Sequence, residues 1–129
     1  GKPLMFGRMA STALLGFPGN PVSSMVCALI FLGPAIDRML GAPPADLTDT
    51  ARLGTDLRAN DRRQDYLRAG LHRAEDGALV ATPFPRQDSS MMATVARAEC
   101  LILRPPLAPA AAAGDPVSIL HLSDRSSGL

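Results

Sequence analysis

Residues 16–24 read Gly-Phe-Pro-Gly-Asn-Pro-Val-Ser-Ser. Two glycines let the backbone come close to a ligand, and two prolines stiffen the turn. The short apolar run Ala13-Leu14-Leu15 leads in, and a long apolar run beginning at Val22 leads out. A strand–turn–helix junction of this kind leaves several backbone N–H groups without intrahelical partners. Together with the positive end of the helix dipole, they favour an anion. The same residues also describe a well-capped helix start, with Asn20 as N-cap, Pro21 at the first helical position, and Ser23 and Ser24 capping the first turn. Local physics allows both readings.

Other side chains could meet an anion. Lys2 and Arg8 flank a first apolar run, and Arg62, Arg63, Arg68 and Arg73 surround a later one. Arg is the side chain best shaped for a bidentate grip on phosphate or carboxylate. The alternative is a solvated β face in which Asp61 and Asp65 are surface partners of little energetic weight. His72 and His121 have no ligand spacing to Cys, Asp or Glu, and no Cys-x-x-Cys, His-x-x-x-His or Glu-x-x-His motif occurs. A metal site complete within the chain is therefore not expected. Neither the Gly-x-x-x-x-Gly-Lys phosphate loop nor the Gly-x-Ser-x-Gly nucleophile elbow is present.

The elements that must position these groups fall into three stretches. Residues 1–41 hold two brief apolar runs bounded by Gly or Pro, as strands are, followed by a helix. Apolar residues at Val22, Met25, Val26, Leu29 and Ile30 follow helical spacing, and Cys27, Ala28, Phe31 and Leu32 make the other faces apolar too. The helix should be covered on most sides. Gly33-Pro34 should kink or break it, and Gly41 should end the turns that follow. Residues 42–46, Ala-Pro-Pro-Ala-Asp, read as a linker. Residues 47–129 look β-rich. Tyr66 to Leu71 and Ala78 to Thr82 form a hairpin about Glu75-Asp76-Gly77, and Cys100 to Leu103 and Val117 to Leu120 are further strands. Residues 89–98 are ambiguous, with helical spacing at Met91, Met92, Val95 and Ala98. The reading is α+β: the tail of an α/β domain, then a small all-β domain shaped as a barrel or sandwich.

Composition sets the bounds. In 129 residues, 47% are hydrophobic but only 4% aromatic, so the core must be aliphatic. A net charge of +1 argues against a nucleic-acid binder driven by bulk positive charge. The longest apolar stretch, Val22 to Leu32, is well short of the ~20 residues that span a bilayer, and no signal peptide is visible. Cys27 and Cys100 lie in apolar runs and read as buried free thiols, in keeping with a reducing cytosol. The chain opens on Gly1-Lys2-Pro3 without an initiator Met, as a piece of a longer protein would.

Taken together, Gly1-Lys2-Pro3-Leu4-Met5-Phe6-Gly7 and the segment 16–24 resemble the molybdopterin molybdenumtransferase family, which includes bacterial MoeA and the E domain of gephyrin. The family pattern is Gly-Lys-Pro-x-x-x-Gly, then Gly-Leu-Pro-Gly-Asn-Pro-Val-Ser, at similar spacing. Pro34 matches a proline usual near the end of the helix. Downstream, the stretch from Arg63 to Ala69 resembles Gly-Arg-x-x-Phe-x-Arg, Gln87-Asp88-Ser89 resembles Gln-Gly-Ser, and Gly114-Asp115-Pro116-Val117 falls on a Gly-Asp/Glu-x-Val turn. Phe17 stands for Leu, Arg62 for Gly and Asp88 for Gly.

The resemblance implies that residues 1–41 are the last part of an α/β molybdopterin-binding-type domain and 47–129 the C-terminal all-β domain. It implies ligation of molybdate to adenylylated molybdopterin with Mg²⁺ assistance, by a cytoplasmic homodimer, with no nucleic acid or membrane partner. By carry-over, Lys2, Pro18, Gly19, Asn20, Pro21 and Ser23 line the pterin-phosphate site, and Arg68 and Ser89 belong to the C-terminal side of the cleft. The Mg²⁺ ligands would lie upstream of Gly1, leaving this piece inactive alone and its first stretch with exposed apolar surface. A non-catalytic pterin-binding or protein-interaction scaffold of the same architecture is the alternative.

Overall fold

A computed structural model describes residues 4–19, 21–43, 45–85 and 97–122. They form two compact units whose boundary in sequence falls between Asp46 and Leu47.

In the first unit, β1 (Met5–Met9) and β2 (Thr12–Gly16) pair antiparallel, with Met5 opposite Gly16 and Met9 opposite Thr12. Ala10 turns the chain with φ +53°. Helical structure then runs without a break through α1 (Pro21–Cys27), a π-helical segment (Ala28–Leu32) and α2 (Gly33–Met39). The helix therefore continues past Gly33-Pro34, where a kink or break was expected. Proline has no N–H to donate, and its ring would collide with the carbonyl four residues back. The wider π turn takes up that misfit, and the Gly33 N–H donates to Ala28 O, five residues back. The helix ends where expected. Gly41 has φ +77°, its N–H donates to Arg38 O, and the Ala42 N–H donates to Asp37 O. These paired bonds about a left-handed glycine are a Schellman cap.

The helix is not covered on most sides as its apolar pattern predicts; the unit instead carries the exposed apolar surface that the resemblance implied. No residue of the π segment or α2 is buried, and Met5, Phe6, Met9, Met39 and Leu40 are largely exposed. No helix among the described residues is long and apolar enough to cross a membrane.

The second unit is a closed five-stranded barrel in the order β3–β5–β4–β6–β7, with β7 returning to β3. Its strands are β3 (Thr48–Leu53), β4 (Asp65–Arg73), β5 (Leu79–Pro83), β6 (Cys100–Arg104) and β7 (Pro116–His121). All pairings are antiparallel except β3–β5, which pair in parallel at Arg52–Val80 and Leu53–Ala81. Side chains alternate in and out. Ala51, Leu53, Ala69, Ala81, Cys100, Ile102, Val117 and Ile119 fill the interior, and Leu67 and Leu71 pack against them. Small residues suit a barrel this narrow. β4 serves two neighbours, pairing with β6 over its first half and β5 over its second, and changes partner at the fully buried Ala69.

The β4–β5 hairpin turns where predicted. Gly77 has φ +85°, and the Asp76 carboxylate accepts from the Ala78 N–H. That bond, followed by the Arg52 guanidinium 2.6 Å away, holds the Asp76 carboxyl below the usual carboxylate range. β3 is absent from the sequence-based expectation. Only Ala51 and Leu53 of this strand face the core, and four polar residues dilute the alternation.

Both cysteines are free, but only Cys100 is buried; Cys27 is half-buried, short of the burial predicted. Burial, with a smaller contribution from Glu99, pushes the Cys100 thiol up to about 12. Burial also raises Cys27, without placing it in the core. Because the thiolate is the reactive form, a disulfide dye at mildly alkaline pH should modify Cys27 in the native protein. Cys100 should react only after denaturant is added. Two equal fast phases would contradict this assignment.

Candidate functional site: a clamped turn and a buried arginine

The turn between β2 and α1 is built as its residues require. Pro18 is buried and Gly19 exposed, and α1 begins at Pro21, where the missing N–H costs the helix nothing. Ser23 lies half-buried in the first turn. The Ser24 hydroxyl donates back to the Pro18 carbonyl at 2.7 Å, joining helix to turn across six residues. Pro18, Gly19, Pro21 and Ser23 thus share one short segment of the first unit. Lys2, Asn20 and Ser89 lie outside the described residues, as does the ambiguous segment up to Ala96.

In the barrel, the arginines separate. Arg62 and Arg63 are exposed ahead of β4, and Arg73 is exposed with its guanidinium donating to Gly77 O at 3.0 Å. For these three the solvated-face reading holds. Arg68 differs: it stands on the outer face of β4, opposite Leu101, yet is only 6% exposed. Its backbone carbonyl accepts from the Phe84 N–H at 3.0 Å. On the same face, a Cβ at Gly70 would come within 3.9 Å of both Phe84 and Glu99. A guanidinium set in so covered a position is strengthened as a partner for an anion, since screening by water is reduced.

Arg104 is the second buried arginine, 7% exposed, and the sequence drew no attention to it. Its guanidinium donates to Arg58 O and Pro109 O, both at 2.8 Å. The Asn60 side-chain amide donates to the carbonyls of Arg63, Arg104 and Pro105. Between them, these two side chains fasten the proline- and alanine-rich loop after β6 to the loop after β3, where Leu57 and Ala111 bridge. The only sequence signal was an Arg closing an apolar strand.

A cavity of about 390 Å³ opens at this end of the barrel, with Leu57, Leu67 and Phe84 among its apolar walls and Asp56, Arg58, Asp65 and Arg104 among its charged ones. Two Asp and two Arg residues line it, so their formal charges balance. Asp56 already accepts from the Ala113 N–H, and Arg104 is engaged as described.

At the opposite end, His121 Nε2 lies 2.9 Å from the Asp49 carboxylate and ties β7 to β3. The His121 bond first, then the Thr50 N–H, hold the Asp49 carboxyl below the usual range. Among the described residues no group of three or more His, Cys, Asp or Glu side chains is placed to hold a metal ion.

Comparison with known proteins gives these features a family. A family model described as the MoeA C-terminal region (domain IV) matches residues 50–122, more than half of the chain and nearly all of the barrel. A molybdopterin molybdenumtransferase from Haemophilus influenzae is 26% identical over 107 residues, which cover 80% of this chain and 26% of that protein. A molybdopterin biosynthesis MoeA protein from Pyrococcus horikoshii has the same fold, with a TM-score of 0.73 at 21% identity over 94% of this chain and 29% of the other. A molybdenum cofactor biosynthesis protein from Pyrococcus furiosus aligns with a TM-score of 0.65 at 18% identity over 81% of this chain and 36% of the other. The chain therefore spans between about a quarter and just over a third of the length of these relatives. With residues 50–122 matched, from within β3 to just past β7, the chain belongs to the family of MoeA C-terminal regions.

Proposed function

We propose that this chain is the C-terminal part of a molybdopterin molybdenumtransferase and acts in molybdenum cofactor biosynthesis, inserting molybdate into adenylylated molybdopterin when part of the whole protein. The observation that carries the reading is the family match over the barrel. The motif-bearing segment, Pro18 to Ser23, precedes the barrel in sequence, and the resemblance assigns it to a pterin-phosphate site.

In this reading residues 1–41 are the last part of an α/β domain, and residues 47–129 are the C-terminal all-β domain. Pro18, Gly19, Asn20, Pro21 and Ser23 hold the phosphate of the pterin, with Lys2 adding charge. Arg68 and Ser89 supply donors from the barrel. Substrate and molybdate are both anionic, and backbone N–H groups, hydroxyls and a guanidinium are suited to them. Molybdate insertion needs no protein nucleophile, so the residues act by orienting the two anions and offsetting their charge. The described residues do not offer a Mg²⁺ ligand set. The whole protein would work as a cytoplasmic homodimer.

The test uses the full-length protein. Asn20→Ala and Pro18→Ala should lower molybdate insertion about tenfold, the loss of one well-placed polar contact or of the turn's stiffness, while melting temperature barely moves. Unchanged insertion rates would remove the turn from the site. Calorimetric titration with molybdopterin separates the alternative: protein that binds no pterin acts instead as an interaction scaffold of the same architecture.

A further inference from the structure

In the first unit the Ser24 hydroxyl meets the Pro18 carbonyl, and Ser24 stands one residue past the eight-residue family pattern that ends at Ser23. Pro18 is buried, and a buried carbonyl needs a hydrogen-bond donor. Pro21, three residues on, has no N–H to give the Pro18 carbonyl the usual turn bond. Ser24, one turn into the helical run, reaches back to fill that role at 2.7 Å, an ordinary length for an O–H···O bond. The bond closes a ring of backbone that contains Gly19, the residue with the greatest conformational freedom. Cutting it would release the turn from the helix while leaving the helix whole, since a hydroxyl inside a helix contributes little to helix stability itself.

We propose that Ser24 is a positioning residue for substrate: it acts through the Pro18 carbonyl, holding the turn from Pro18 to Pro21 in the geometry that receives the pterin phosphate. This inference rests on the proposed function of that turn. The hydroxyl spends its proton on Pro18, so Ser24 itself need not touch the ligand. Its effect is preorganisation: a turn already fixed before binding loses less freedom on binding.

The experiment measures molybdopterin affinity by calorimetry, with thermal melts in parallel, on full-length wild type, Ser24→Ala, Ser24→Thr and Asn20→Ala. Ser24→Ala should weaken binding about fivefold at temperatures well below its melt, as loss of one neutral hydrogen bond predicts, with a melting temperature only slightly lowered by the unpaired Pro18 carbonyl. Ser24→Thr keeps the hydroxyl and should bind like wild type. Wild-type affinity in Ser24→Ala, with weakened binding in Asn20→Ala, overturns the positioning role and leaves the site standing. Wild-type affinity in Ser24→Ala and Asn20→Ala alike overturns the site itself. Equal weakening in Ser24→Ala and Ser24→Thr, or a lower melting temperature that accounts for the weakening, shows that Ser24 serves packing and overturns the inference.

Discussion

Ile102→Ala should destabilise the barrel by about 2–5 kcal/mol, the range for truncating a large buried aliphatic side chain. Ile102 is fully buried at the middle of β6, opposite Leu67 on one side and Ile119 on the other. Four of the eight core residues are Ala or Cys, so Leu53, Ile102, Val117 and Ile119 supply most of the volume. The hole left by three lost carbons could not close easily. Both flanking strands are tied by backbone hydrogen bonds around a closed sheet, and a closed barrel cannot slide one strand inward without breaking a seam. A domain of this size has a total stability of only about 4–12 kcal/mol, so the variant should be partly unfolded near physiological temperature. Ile102→Val should cost about 0.5–1.5 kcal/mol. Urea titration followed by circular dichroism measures both. A loss below about 1 kcal/mol in the alanine variant would mean that the core relaxes far more freely than a closed barrel allows.

What the sequence made legible, and what it hid, follows from the range of the forces involved. The β4–β5 hairpin and the helix end at Gly41 were readable because turn chemistry is local: Gly77 and Gly41 sit at the positive φ values that favour glycine. The start of α1 at Pro21 was readable for the same reason. β3 was hidden because only Ala51 and Leu53 face inward, and its strand character comes from partners more than sixty residues away in β7. Pro34 advertised a helix break. Whether a proline breaks a helix or widens one turn depends on what the surrounding helix can tolerate, and no residue type announces that. The burial of Arg68 and Arg104 was invisible too, since the chain that covers a side chain is set by the tertiary fold. At the turn, the residue types showed a place fit for an anion, and only the resemblance named the ligand. The bond from Ser24 to Pro18 could not be read, because the same hydroxyl could equally have capped its own helix.

Gly54→Ala should destabilise the barrel by about 1–3 kcal/mol, the cost of overpacking. Where alanine fits the backbone, as the φ of Gly54 allows, this substitution stabilises by about 0.4–1 kcal/mol through the unfolded chain, so the expected sign is itself diagnostic. Gly54 follows β3 directly, and its N–H donates to Ala81 O at 2.8 Å. An added Cβ would strike the Thr82 hydroxyl and lie 3.1 Å from the Thr82 Cβ and 3.3 Å from its Cα. The hydroxyl could rotate away, but the Cβ and Cα move only with the strand. β5 is held there by β4, with Thr82 opposite Gly70, so the displacement falls on the join between β3 and β5. That join is the weakest in the barrel: it is parallel and pairs at two positions only, Arg52–Val80 and Leu53–Ala81. Losing the Gly54 bond would open the barrel at this seam first. Hydrogen exchange should therefore show faster exchange at the Gly54 amide than at β6, in proportion beyond the global loss. Thr82→Ala removes the hydroxyl but keeps the Cβ, so it should recover part of the cost of Gly54→Ala, and Thr82→Gly more of it. Additive single and double variants would show that the two residues do not meet, and would exclude this steric origin.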